Sequence, residues 1–129
     1  MKFHFEDLDV WQRAVEFADG VIAISENLQS PRNHFRLVEQ LEAAATSIAM
    51  NIAEGKGRYS KKEFAQFHYI ARGSLFETVT LLRIIERRGW AKKEHLDILN
   101  QKAAGLAKML NGLINAVKSS QEQLTARSS

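Results

Sequence analysis

Apolar residues spaced three and four apart, over four stretches divided by Gly, Pro and Ser, constrain this chain more than any other feature. Such spacing puts each set on one face of a helix. The first set, Leu8, Trp11, Val15, Ala18, Val21/Ile22, Ser25 and Leu28, predicts a helix over 7–28. Ser30-Pro31 reads as an N-cap followed by Pro at the first helical position, where its missing N–H costs nothing. Phe35, Val38, Leu41, Ala45, Ile48 and Ile52 then predict a helix over 31–54, stopped by Gly55-Lys56-Gly57 through the left-handed conformation glycine adopts freely. Ser60-Lys61-Lys62-Glu63 fits a capping box, with Tyr59 and Phe64 at the two positions of a hydrophobic staple. From there Phe67, Ala71, Ser74, Leu75, Thr78, Leu81/Leu82 and Ile85 carry a helix over 60–88, with Gly89 as its stop. Leu96, Leu99, Ala103, Leu106, Leu110, Leu113 and Val117 define a fourth helix over 91–118, and the tail 119–129 reads as loose.

Short connections make neighbouring helices antiparallel. The expected fold is therefore all-α: one domain over 1–129, an antiparallel up-down-up-down four-helix bundle. Near-heptad spacing favours shallow crossing angles of about 20°. One Pro and seven Gly are too few turn residues for a many-stranded β protein. Gly20, Gly73, Gly105 and Gly112 fall within helices, where each costs ~1 kcal/mol against Ala, and suggest close approach of another helix in the bundle or in a second subunit.

Composition removes whole classes of chemistry. Zero Cys excludes disulfide scaffolds, thiolate zinc, iron–sulfur clusters and Cys nucleophiles. The residues three positions before His4, His34, His68 and His95 are Met1, Pro31, Ala65 and Lys92, so none forms the Glu-x-x-His pair of a metal-holding bundle. No metal site and no cofactor is expected. Gly55-Lys56-Gly57-Arg58 lacks the spacing of a phosphate loop and follows no strand. Charge appears early in Met1–Asp7 and no stretch reaches the roughly 20 apolar residues of a membrane span, so a cytoplasmic protein without membrane contact is expected.

A polar line runs beside the second stripe: Gln40, Ser47, Asn51 and Glu54, with Ser74 and Glu77 opposite on the third helix. Carboxylates beside Asn and Ser can serve acid/base chemistry when buried. The reading preferred here is a structural network in which Ser47, Asn51, Glu54, Ser74 and Glu77 fix register, because no His, Cys or metal ligand completes a mechanism.

The net charge of +3 hides a division. Residues 1–55 carry four bases and nine acids, while residues 56–129 carry fourteen bases and six acids. Such asymmetry suggests a nucleic-acid or acidic partner for the basic half, or attraction between the halves. Lys56, Arg58, Lys61 and Lys62 fall at one end of the expected bundle; Arg87, Arg88, Lys92 and Lys93, with Arg32 and Arg36, fall at the other, roughly 40 Å away. Tyr59 and Trp90 lie within these clusters, where aromatics can stack unpaired bases while Lys and Arg neutralise phosphates; the competing roles are a staple for Tyr59 and a cap over the bundle end for Trp90.

Four segments together resemble one family: Phe5-x-x-Leu8-x-Val10-Trp11-Gln12, Gln40-Leu41-x-x-Ala44-Ala45-x-Ser47-Ile48-x-x-Asn51-Ile52-Ala53-Glu54-Gly55, Gly57-Arg58-x-Ser60-x-x-Glu63-Phe64, and Ile70-Ala71-x-Gly73-Ser74-Leu75-x-Glu77. They look like the four-helix-bundle proteins encoded in intervening sequences of bacterial 23S rRNA genes, a family similar in fold to the accessory variability protein of diversity-generating retroelements. The resemblance implies a homopentameric ring and a non-enzymatic role, and its retroelement relatives imply nucleic-acid and reverse-transcriptase binding through basic surfaces. The expectation is a non-catalytic oligomer that binds structured RNA, or DNA, through Lys56, Arg58, Lys61, Lys62, Arg87, Arg88, Lys92 and Lys93. The alternative is a protein-interaction scaffold or accessory subunit with an unidentified protein partner and no nucleic-acid role. An enzyme built on Asn51, Glu54 and Glu77 stands last.

Overall fold

A short 3-10 helix, η1 (His4–Asp7), leads into four α-helices: α1 (Asp9–Glu26), α2 (Phe35–Lys56), α3 (Lys61–Arg88) and α4 (Lys93–Ser128). The computed structural model describes residues 1–128, with side chains described through 123. No strand occurs among the described residues. Each helix packs on its sequence neighbours and α1 closes against α4, which is the packing order of an up-and-down bundle.

The start of α3 follows its local chemistry. Ser60 is extended and its Oγ accepts from the Glu63 N–H at 3.0 Å, satisfying one of the orphan donors of the first turn. At the other end Gly89 has φ 70°, the left-handed conformation an L side chain resists, and its N–H returns to the Glu86 carbonyl at 3.0 Å.

Elsewhere tertiary contacts move the boundaries. Helix α2 begins at Phe35, not after Pro31, because Ser30 Oγ donates to the Arg32 carbonyl at 2.6 Å and closes a turn there. The same connection is tied across the bundle end by the Gln29 N–H to the Trp90 carbonyl at 2.8 Å. Gly55 does not stop α2: it is buried within the last turn, and Gly57 caps the helix at φ −81°, a right-handed conformation. The Tyr59–Phe64 staple does not form, since Tyr59 is fully exposed. Residues 119–128 continue α4 as helix, and Lys61 Nζ donates to Ser120 Oγ to hold that extension against the start of α3.

Phe17, Leu41, Ile48, Ile52, Leu75, Leu82, Ile85, Leu106 and Leu110 are fully buried and form the core. In α1 the buried face is Val10, Ala14, Phe17, Ala18, Val21, Ile24 and Ser25, rotated from the expected stripe so that Phe17 goes in and Val15 comes out. Phe35 is likewise exposed. Close approach accounts for Gly55, where a Cβ would lie 3.1 Å from both Phe67 Cβ and His68 Cε1; at Gly20 a Cβ would lie 2.7 Å from Leu99 Cδ2, the movable end of a side chain. Open space surrounds Gly73, Gly105 and Gly112, so no neighbour within the chain requires them.

Candidate nucleic-acid interface

The polar line forms two separate hydrogen-bonded groups across the α2–α3 seam. Ser47 Oγ accepts from Asn51 Nδ2 at 2.9 Å and from Ser74 Oγ at 3.0 Å, while Asn51 Nδ2 also reaches the Ser47 carbonyl at 2.8 Å. Thr78 Oγ1 adds a bond to the Ser74 carbonyl at 2.8 Å. Farther along, Gln40 Nε2 donates to Glu77 Oε1 at 3.2 Å. Glu54 joins neither group and pairs with Arg58 at 3.2 Å. Acid/base work by a carboxylate with raised proton affinity needs burial, and both Glu54 and Glu77 are exposed. Among the described residues no three His, Cys, Asp or Glu side chains cluster to hold a metal ion. A groove of about 490 Å³ runs between α1 and α4, lined by Gly20, Ile24, Lys92, His95 and Ile98, well away from Asn51, Glu54 and Glu77.

All eight basic residues singled out in the sequence are exposed, and α3, about 42 Å long at 1.5 Å per residue, holds the two groups apart. At the α2–α3 end Arg58 is engaged twice, with Glu54 and with its guanidinium 4.7 Å from the centre of the Phe67 ring. Lys61 is bound to Ser120. Lys56 and Lys62 have no carboxylate within ion-pair distance among the described residues. At the opposite end Arg87, Lys92 and Lys93 are equally unpaired, while Arg88 lies 5.2 Å from the centre of the Trp90 ring. The unpaired charges have no partner in the fold, and the one exposed ion pair among these residues, Glu54–Arg58, contributes little to stability.

The aromatics in the two clusters have opposite fates. Trp90 is only 8% exposed and stacks on His34 with ring centres 4.5 Å apart, so it caps the bundle and offers no free face to a base. Tyr59 is 106% exposed relative to its reference state and touches nothing that orders it.

Sequence reasoning passed over two features. His68, considered only as a metal ligand, is fully buried beneath the α2–α3 turn, stacked on Phe64 at 4.1 Å, with Nδ1 2.8 Å from the Phe64 carbonyl. A carbonyl only accepts, so Nδ1 carries the proton. Burial pushes the His68 imidazole below the usual histidine range, partly opposed by that hydrogen bond. The signal was present: Phe64, His68, Ala71 and Leu75 are spaced four, three and four apart. The second feature is the apolar outer face of α3, where Tyr69, Ile70, Phe76 and Ile84 are exposed around the open Gly73. Arg72 lies over the Tyr69 ring at 5.0 Å and donates to Asn111 at 2.7 Å. That face hides among the polar residues of the helix in a reading that follows the buried stripe alone.

Comparison with known proteins places the chain. A structure from Bacteroides thetaiotaomicron, described as a protein of unknown function from the S23 ribosomal protein family, superposes with a TM-score of 0.75 at 25% identity, covering 81% of this chain and 97% of that one. Neither that description nor the family named below indicates an enzyme. No curated protein matches. No helix among the described residues is long and apolar enough to cross a membrane. The model of the family described as 23S rRNA-intervening sequence protein matches residues 6–112, and the chain therefore belongs to that family.

Proposed function

We propose that this protein is a non-enzymatic, cytoplasmic homo-oligomer that binds structured RNA through its basic ends. The observation that carries the reading is the set of exposed, unpaired cations at both ends of one rigid helix: Lys56 and Lys62 at one, Arg87, Lys92 and Lys93 at the other. Cations that the fold leaves unpaired release counterions from a phosphate backbone when they bind it, and this supplies affinity without sequence readout. The family's description associates its members with the 23S rRNA intervening sequence, which makes RNA the first class of partner to test. Self-association, and the pentameric ring that the resemblance implies, is supported by the apolar outer face of α3, where Gly73 leaves room for close approach by a second copy.

A mobility-shift titration against an RNA stem-loop tests the first claim. Binding at low salt that weakens steeply as salt rises is expected; no shift at low salt would defeat it. Light scattering combined with the 260/280 nm absorbance ratio of the purified protein tests assembly and co-purified nucleic acid together. The same apolar face favours one second reading, a protein-interaction scaffold, and a protein partner retained after nuclease treatment would support it.

A further inference from the structure

We infer that the α2–α3 turn takes unpaired nucleotides, with Tyr59 as the stacking platform. The inference rests on the RNA-binding reading above and goes beyond it by assigning a strand type to one end. Tyr59 follows α2 by three residues and stands between Lys56 and Lys62, each three positions away. Both lysines are exposed and unpaired, and the Tyr59 ring has both faces open to water. Of the carboxylates nearby in sequence, Glu54 pairs with Arg58 at 3.2 Å, and Glu63 lies four residues after Tyr59.

A fully exposed tyrosine that makes no packing contact contributes nothing to its own fold, yet here it is flanked by cations placed to hold phosphates on either side. Base stacking on an aromatic needs an open ring face and an unstacked base. An A-form duplex conceals its base faces within the stack, so a single protruding ring gains purchase only on a single strand, a loop or a bulge. At the opposite end Trp90 lacks that option, because His34 and Arg88 occupy its ring, and the open aromatic there is Phe35, beside Arg32 and Arg36. A hairpin would then place unpaired nucleotides of its loop on Tyr59.

Fluorescence anisotropy at low salt with two labelled probes, oligouridylate and an RNA duplex of equal length, tests this on the full chain. Tyr59→Ala is expected to weaken the single strand roughly tenfold, the loss of about one stacked base, and to leave the duplex unchanged. Tyr59→Phe keeps the ring and should restore wild-type affinity. Lys56→Gln with Lys62→Gln should weaken both probes and reduce the salt slope for the single strand by about 1.4, from about 0.7 per phosphate. Equal effects of Tyr59→Ala on both probes, or none on either, overturn the inference while RNA binding stands. Failure of both probes to bind the wild-type protein removes the RNA-binding reading itself. Because Tyr59 is exposed, an unchanged circular-dichroism melt for Tyr59→Ala separates these outcomes from misfolding.

Discussion

Both ends of the bundle contain an imidazole stacked on an aromatic ring with a guanidinium near an aromatic face, yet the two arrangements do different work. At the α3–α4 end the aromatic, Trp90, is buried and the imidazole, His34, is half-buried at the rim; Arg88 lies on the same tryptophan. Since Gln29 also donates to the Trp90 carbonyl, this unit joins the α1–α2 connection to the α3–α4 turn. At the α2–α3 end the imidazole is the buried partner: His68 lies inside, Phe64 is half-buried, and Arg58 covers the adjacent Phe67. That unit comes largely from α3 and presses on a single glycine of α2, leaving the Tyr59 side chain in the turn above it without a partner. Where the loops are joined to each other, the aromatic of the α3–α4 turn goes to the fold. An end sealed from below keeps its turn free.

The sharpest way to break this comparison is Trp90→Ala, which removes the common partner of His34, Arg88 and the α1–α2 connection. A loss of roughly 3–5 kcal/mol is expected in urea denaturation, with faster amide exchange over residues 27–34. Gly55→Ala attacks the other end. The added Cβ meets Phe67 Cβ, which is fixed to the α3 backbone, so the helices must part; the gain in helix propensity offsets some of the strain, and a net cost of about 1–2 kcal/mol is expected.

A pH series then isolates His68. Its folded-state proton affinity lies below the unfolded value of about 6.5, so between the two values the unfolded chain binds more protons and stability rises with pH. The contribution of neutral His68 is complete above the unfolded value and is lost as pH falls below it toward the lowered folded one. Denaturation midpoints should decline with acidification through that window, and His68→Phe should flatten this part of the profile. Smallest of all is Tyr59→Ala, expected within about 0.5 kcal/mol of wild type by the same denaturation measurement. A larger loss would mean that the two ends are tied alike.

The helices were legible because their signals are local. Ser60 and Glu63 lie three residues apart, and one glycine at positive φ stops α3, so neither needs anything distant to act. The inner faces of α3 and α4 followed from spacing alone, as Leu75, Leu82, Leu99 and Leu106 show. The start of α2 was not legible, since Ser30-Pro31 carries a strong local signal that a cross-bundle bond from Gln29 and a turn at Arg32 override. The α1 stripe was off by a rotation for a related reason: Val15 and Phe17 are both apolar, and only the facing helices select between them. Of the candidate site residues, the exposure of the eight basic ones was foreseeable from their charge. The separation of Glu54 from Ser47, Asn51 and Ser74 was missed although its signal is local, since Arg58 lies four residues on and takes its carboxylate.

What the sequence determined by itself is the helical class, the helix count and the placing of cations at two ends, all consequences of periodicity and of side chains that stay in water. What the tertiary structure alone decided is which aromatic each end keeps and which it releases. That choice depends on distances between residues far apart in the chain, His34 from Trp90 and Gly55 from His68, and no spacing along a sequence encodes a distance across a bundle.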